Sequence, residues 1–425
     1  MRRPDTIQEV VSNHLCMGCG TCAAARPEFV RMADTAAHGR RPVVADEVPT
    51  IAARELVGVC PGRAIDAAPP ASESGKDYSH AAWGPVLEVW EGHATDPELR
   101  FKGSSGGVVS ALALFCIEQK DYAGAVQVRA RDDQPLLNES VISRSRGDVL
   151  AASASRYAPA SPCERLVDLK DSDRPHVFIG KPCDVAGSAF LAAEQPALKT
   201  SVALSISIFC AGTPSLAGSR ELLRRLGVSD DDEVLELRYR GRGWPGDMSV
   251  RFREAGGGKV REASMSYAEG WGDILQKYKQ WRCQLCADHL GEHADLSIGD
   301  PWYRPVAENE AGQSLIVVRT ERGRRIVREA MRAGALDLER RSLATLAASQ
   351  PNLEKTRGAV FGRCLTARLA GGNAPRYRGS GLHRVWWRAL SPLDKFRSFA
   401  GTLKRLLRKG MLRGERAELV EVPES

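Results

Sequence analysis

The stretch PHVFIGKPCD, Pro175–Asp184, decides how the rest of the chain is read. Residues 175–180 form a short apolar run with β-branched and aromatic members, bounded by proline and then by Gly-Lys-Pro, which is the pattern of a strand buried on both faces. A cysteine, Cys183, follows at once. The same succession recurs in SVALSISIFCAG, residues 201–212, where a second buried strand runs into Cys210. Working outward, strands are predicted at VLEVWEGHA (86–94), LELRYR (235–240), MSVRFREA (248–255), ADLSIG (294–299) and SLIVVRT (314–320). Helices are predicted at SGGVVSALALFCIEQ (105–119), after a Gly-rich turn, and at SLAGSRELLRRLG (215–227). Strands alternating with helices, without a fixed-period repeat, predict a mixed α/β body. In such sheets the loops after the strands converge on one face and build the site.

The whole chain has 425 residues, 43% apolar and 27% charged, enough to bury real cores in two or three domains. Its start, MRRPDTIQEVV, has no apolar export segment, and its longest apolar runs are far shorter than a membrane span. A cytoplasmic location is expected. Eleven cysteines in a reducing compartment argue for metal ligation before disulfides. The net charge of +7 is uneven: residues 351–425 hold 16 Lys/Arg against 6 Asp/Glu, so residues 1–350 carry −3. A nucleic-acid groove needs basic charge across the folded body, and this distribution excludes that partner.

The N-terminal stretch NHLCMGCGTCAAARP, Asn13–Pro27, holds Cys16, Cys19 and Cys22 at C-x2-C-x2-C. This is the start of an iron–sulfur ligand run, but the usual closing Cys-Pro is replaced by Arg26-Pro27. Cys60-Pro61 lies 38 residues after Cys22 and supplies the fourth thiolate of a [4Fe–4S] site. Reduced structural thiols or a four-cysteine zinc site are the alternatives. The module spans residues 1–68 and is followed by an Ala/Pro/Ser/Gly-rich linker, 69–84.

A second constellation is dispersed. Cys283 and Cys286 form a C-x2-C in WRCQLCAD, and Cys183 and Cys210 each follow a predicted strand, so the four can meet at the strand ends. A local zinc alternative exists in Cys283, Cys286, His289 and His293, although the gap between its pairs is shorter than in zinc fingers. Cys116 reads as core, and Cys163 and Cys364 have no evident partner. Ser104, Ser105, Gly106 and Gly107 sit at a strand-to-helix turn where backbone N–H groups and hydroxyls suit a dinucleotide pyrophosphate. An N-capping turn with tight helix packing explains them equally well.

Taken in order, SSGGVVSALA, SRYAPASPC, IGKPCD, FCAG, RCQLCAD and ADLSIGDPW resemble the coenzyme F420 hydrogenase/dehydrogenase beta-subunit family across residues 80–305. The N-terminal module resembles the ferredoxin-like unit often fused to its members. The family binds FAD and iron–sulfur clusters. It includes enzymes that reduce or oxidise a deazaflavin coenzyme and chlorophyll-pathway reductases. The resemblance implies that Ser104, Ser105, Gly106 and Gly107 meet the flavin phosphates and that Ser155, Tyr157, Gly180 and Lys181 lie near the flavin. It makes Cys183, Cys210, Cys283 and Cys286 the ligands of a second [4Fe–4S] cluster. It divides the body into a flavin-binding part, 85–165, and a cluster-bearing part, 166–335. Lys181 departs from the small or hydroxyl residue of many relatives.

The expected function is a flavin- and iron–sulfur-dependent oxidoreductase that joins hydride chemistry to one-electron transport. Its N-terminal cluster would face a redox partner such as a ferredoxin or partner subunit, and its FAD a small hydride donor or acceptor. No general acid or base stands out, since Asp184, Asp288, Asp295 and Asp300 read as turn or supporting groups. A non-catalytic electron-transfer or scaffold subunit that lacks flavin is the alternative. The remainder, 336–425, reads as a basic helical tail. Ser391 and Pro392 open its last helix and Gly410 closes it. Its apolar and basic faces allow peripheral contact with the inner face of a membrane through 391–411.

Overall fold

The computed structural model describes residues 4–68, 79–80, 82–306, 310–409 and 411. Most of the linker expected at 69–84, and the Gly410 stop, lie outside the described residues. Eight strands make the main sheet: β1 (Glu88–Ala94), β2 (Gly124–Ala130), β3 (Asn138–Ser143), β4 (His176–Gly180), β5 (Val202–Ile208), β6 (Leu296–Gly299), β7 (Ser314–Val318) and β8 (Leu336–Arg341). Their order is β8-β1-β7-β6-β5-β4-β2-β3. β6, β5, β4 and β2 are parallel neighbours, whereas β3, β7, β1 and β8 join by antiparallel pairing. The fold class is the mixed α/β body read from the sequence.

The apolar run of β4 is explained by its two neighbours. Val177 and Ile179 enter the core shared with the helices α1 (Val108–Gln119) and α3 (Glu321–Arg332). Phe178 enters the core on the other face, with α2 (Pro182–Glu194). A strand with helices on both faces has no solvent side, so period-2 alternation of polarity disappears.

The N-terminal module packs onto that second face. Ile7, Cys22, Ala24 and Leu56 share a core with Phe178, Val185 and Leu191. Strands from both expected parts of the body, 85–165 and 166–335, lie in one sheet, and β8 extends that sheet past residue 335. A separate antiparallel sheet of Glu233–Arg238, Met248–Arg253 and Val260–Met265 carries its own core with Leu222 and Tyr239.

The tail is helical as expected, with α4 (Leu353–Leu369), α5 (Leu382–Ala389) and α6 (Pro392–Arg408). The Ser391 side chain caps α6 by accepting the Asp394 N–H at 3.1 Å. The tail is not an appendage. Val360, Cys364, Leu382 and Leu406 pack with Val10, Leu15, Trp281 and Leu285, and Arg376–Arg378 pairs in parallel with Ala64–Asp66. Cys364 is thereby a core residue. Leu393, Phe396, Leu403 and Leu407 of α6 are exposed. Among the described residues no helix is long and apolar enough to cross a membrane.

Candidate cofactor site

The carboxyl ends of β4, β5 and β6 open onto a cavity of about 730 Å³, within the range of small-molecule and cofactor sites. Each strand runs into a turn on its wall: Gly180-Lys181 after β4, Phe209–Thr213 after β5 and Asp300 after β6. The turn before α1 supplies another wall. Gly107 caps α1 at φ +74°, a left-handed conformation natural to glycine, and a Cβ there would crowd the Leu99 and Arg100 backbone. Ser104 Oγ accepts the Ser155 N–H at 2.6 Å, which ties two wall segments together. Ser105 Oγ donates to Gln313 O at 2.6 Å.

Gly106 lies against the sheet. Ser104, Ser105 and Gly107 line the cavity, but the Gly106 N–H donates to Ser314 Oγ at 2.9 Å and its Cα packs on the backbone of Gly92 and Ser314. Its glycine character serves close approach to the sheet. Ser155, Tyr157, Gly180 and Lys181 all reach the wall. Gln127 Oε1 and His289 Nε2 are buried without a protein partner, and both residues line the cavity. Buried polar atoms are normally satisfied, so this wall has places for the polar atoms of a bound molecule.

Cys16, Cys19, Cys22 and Cys60 meet. Burial pushes the Cys22 thiol well up, and Cys19, Cys16 and Cys60 push it further. Cys60 is raised to about 12 by burial, with Cys19 and Cys16 adding to it, and burial raises Cys16. Cys19 goes the other way, lowered to about 7 chiefly by its contact with the Cys163 side chain, against the effect of burial; the Cys163 thiol itself donates to Asp184 O at 3.2 Å. Cys163, without an evident partner in the sequence, thus supports a site cysteine. Gly18 turns at φ +72° and points its N–H at Cys16 Sγ, 3.3 Å away.

The second set meets beside the first. Burial raises Cys183 well above the ordinary thiol value, with Asp184, Cys19 and Cys210 adding to it. Cys210 is pushed up to about 12 by burial and then by Cys283, and Cys286 to about 11 by burial. Thr213 N–H donates to Cys283 Sγ at 3.2 Å. Cys210 and Cys283 stand on the cavity wall, and Cys283 Sγ lies 4.0 Å from Met17 Sδ in the first ligand loop.

These donor sets fit iron–sulfur ligation. Thiols held neutral by burial become thiolates when a bound cation supplies the opposing charge, and N–H···S bonds stabilise that state. Among the described residues no three His, Cys, Asp or Glu side chains converge on a single-ion site. A four-iron cluster gives each thiolate its own iron, so its ligands surround a volume instead of a point. In the local zinc alternative His289 Nδ1 pairs with Cys210 O at 2.8 Å and His293 Nε2 with Asp66 O at 2.9 Å, which leaves one ring nitrogen of each histidine as the ligand atom.

Two charged pairs line the cavity. Lys181 Nζ donates to Asp184 Oδ1 at 2.6 Å. Burial disfavours its charge, but Asp184 and Cys183 outweigh this and keep it an ammonium. Arg240, which the motifs do not single out, is only 3% exposed and binds Asp300 at 2.8 and 2.9 Å. Its guanidinium lies over the rings of Tyr267 (4.9 Å) and Trp302 (5.6 Å), which stack on each other at 5.9 Å. Asp300 is therefore a counter-ion to Arg240. All these side chains line the cavity.

Comparison with known proteins agrees with this architecture. The description "Coenzyme F420 hydrogenase/dehydrogenase, beta subunit N-term" matches residues 89–168, and its C-terminal counterpart matches residues 173–342. The chain belongs to this beta-subunit family. The coenzyme F420 hydrogenase subunit beta of Methanococcus voltae is 26% identical over 251 residues, covering 57% of this chain and 81% of that protein. The coenzyme F420-dependent sulfite reductase of Methanocaldococcus jannaschii is 23% identical over 335 residues, 75% of this chain. The match spans less than half of that longer protein, 46%. A chain in the F420-reducing [NiFe] hydrogenase complex from Methanosarcina barkeri shares the fold, with TM-score 0.53 and 20% identity over 70% of this chain and 98% of that one. The family match contains the cavity turns and the second cysteine set. The N-terminal module and the helices α4 to α6 lie outside it.

Proposed function

We propose that this beta-subunit family member is an iron–sulfur flavoprotein oxidoreductase, or the electron-input subunit of a larger one. Cys16, Cys19, Cys22 and Cys60 hold one [4Fe–4S] cluster, Cys183, Cys210, Cys283 and Cys286 hold a second, and FAD occupies the cavity. The carrying observation is that Cys210 and Cys283 line the same cavity as Ser104, Ser105 and Gly107. The names of relatives that act with F420 support a deazaflavin or another small hydride carrier as substrate.

A bound flavin would supply two-electron hydride exchange coupled to single-electron release. The chain's own residues bind and orient. The N-terminus of α1 and the Ser104–Gly107 turn favour phosphate charge. Lys181 and Arg240 fix positive charge at the wall, while Tyr267, Trp271 and Trp302 present flat apolar surface that keeps water from the reacting edge.

Iron, acid-labile sulfide and FAD per chain, measured on anaerobically purified protein, test this. About eight irons and one FAD are expected, and Cys60→Ala or Cys283→Ala should each remove roughly half the iron, as two four-iron sites require. About eight irons without flavin would point to the non-catalytic electron carrier. Zinc with little iron would refute both.

A further inference from the structure

A second hollow, about 920 Å³, lies between the N-terminal module and the tail. Pro4, Arg63 and Ala64 form one side, and α4, the Arg376–Arg378 strand and the start of α5 form the other. Five arginines line it, Arg63, Arg368, Arg376, Arg378 and Arg384, together with His383, and among the described residues no Asp or Glu does. Arg63 Nε donates to Pro4 O at 3.0 Å and Arg368 Nη2 to Pro375 O at 2.8 Å. Arg378 faces Asp66 at 3.5 Å. Arg376, Arg378 and Arg384 are exposed. This hollow is where the basic excess of the tail meets the body.

Its floor touches the backbone that carries both cysteine sets. Ala64 N–H donates to the carbonyl of Cys60 at 3.2 Å. Tyr377, on the floor, donates its hydroxyl to Leu285 O at 2.6 Å and accepts the Ala287 N–H at 3.1 Å, bracketing Cys286. Cys364, also on the floor, is raised to about 11, chiefly by burial, with Cys286 adding to it. A charged recess over this backbone has no steric connection to the flavin cavity, whose lining is entirely different.

We propose that this recess is the docking surface for an acidic one-electron carrier protein, an inference that rests on the cluster assignment above. Charge complementarity selects the partner: a carboxylate-rich face meets a hollow lined by five arginines, and such surfaces steer association. Each encounter moves one electron, the carrier being oxidised or reduced by one and the chain changed by one in the opposite sense. Two encounters match one two-electron hydride exchange at the flavin. The family match ends at residue 342, so the tail residues that build the recess add a port that the family core lacks.

The test uses the full chain, purified anaerobically, and a purified acidic 2[4Fe–4S] ferredoxin in stopped flow. Arg376→Glu/Arg384→Glu should lower the second-order electron-transfer rate at least tenfold at low ionic strength and flatten its dependence on salt. Iron per chain, thermal midpoint and the extent of reduction by excess dithionite should stay at parental values. Arg397→Glu/Arg408→Glu, on exposed α6 positions outside the recess, should leave the rate within twofold. An unchanged rate in the recess variant, or an equal fall in the α6 variant, overturns the proposal. So does micromolar binding of inorganic pyrophosphate that the recess variant abolishes while ferredoxin kinetics stay the same, because the recess is then a small-anion site. If the parent chain holds no iron, the cluster assignment itself has failed, and iron analysis separates that result from failure of docking alone.

Discussion

Replacing Asp300 by Leu isolates a buried charge. The Arg240 guanidinium is 3% exposed and has three acceptors: Asp300 Oδ2 at 2.8 Å, Asp300 Oδ1 at 2.9 Å and Pro245 O at 2.9 Å. Asp300→Leu removes two of them and the counter-ion together. Orphaning a buried donor of a charged group costs about 1–3 kcal/mol, so two such donors agree with the roughly 3–5 kcal/mol lost when one end of a buried ion pair is deleted. Arg240→Met leaves Asp300 with the Trp244 Nε1–H bond at 2.7 Å and partial access to solvent, which predicts a smaller loss of about 2–3 kcal/mol. Arg240→Met/Asp300→Leu removes both charges and should cost no more than about 2 kcal/mol, because only packing changes. The double-mutant cycle therefore predicts strong coupling. Urea unfolding followed by tryptophan fluorescence is the assay, since Trp244 stacks on Trp302 at 5.4 Å beside this pair. The reasoning fails if Asp300→Leu costs under about 1 kcal/mol, or if the double-variant loss equals the sum of the single losses.

Gly187→Ala places a Cβ against the buried Thr21 Oγ1. The clash should outweigh the helix-propensity gain of about 1 kcal/mol and leave a net loss of about 1–2 kcal/mol. Iron content should fall with it, since Thr21 lies 3.2 Å from Cys19 Sγ; a more stable variant with full iron would contradict the packing. His38 is lowered to about 4 by burial and then by Arg41, His14 and Lys409. As pH falls from 6.5 to about 4, the unfolded chain binds a proton that the folded chain refuses, so stability declines through that window. After discounting for partial exposure this amounts to about 1–2 kcal/mol. His38→Gln should show a correspondingly flatter pH dependence in urea unfolding, and identical slopes would remove His38 from the account.

β4 and β7 were legible because both their faces are covered, whereas β2, covered on both faces at Ala125 and Val126, was not predicted. β4 and β7 are buried at every position, so their sequences are unbroken apolar runs. β8 reads LDLERR and was missed, because only Leu336 is buried and the strand is held by cross-strand charge. Arg340 pairs with Glu88 at 2.9 Å and Arg341 with Glu91 at 3.1 Å. Cysteine spacing reveals candidate ligands because metals constrain residue type. Arg240 and Tyr267 carry no such signature. They reach the cavity from the segments that follow the first and last strands of the three-stranded sheet, and only tertiary packing brings them to Asp300. Gly106 is ambiguous in sequence for a related reason: a glycine needed for close approach to a sheet and one needed for a phosphate look alike.

The placement of the N-terminal cysteines also revises what a fused module means here. Arg282, 2% exposed, donates to Pro61 O at 3.0 Å and lies 5.7 Å from the Tyr377 ring, so the residue before Cys283 contacts the residue after Cys60. Cys163 N–H donates to Cys19 O at 3.0 Å, and Ser161 Oγ donates to Gly18 O at 2.6 Å. The tail closes the same assembly through Ala64–Asp66. Each cysteine loop is thus held by segments distant in sequence, and the apolar face of residues 1–68 has its partners in α2 and β4. Cut from the body, that face would lie open to water. The hydrophobic cost of such exposure, roughly 25 cal/mol per Å² of apolar surface, binds the two cysteine sets into one structure. A change in either loop is transmitted to the other through backbone hydrogen bonds and shared core, with no need for the linker to carry it.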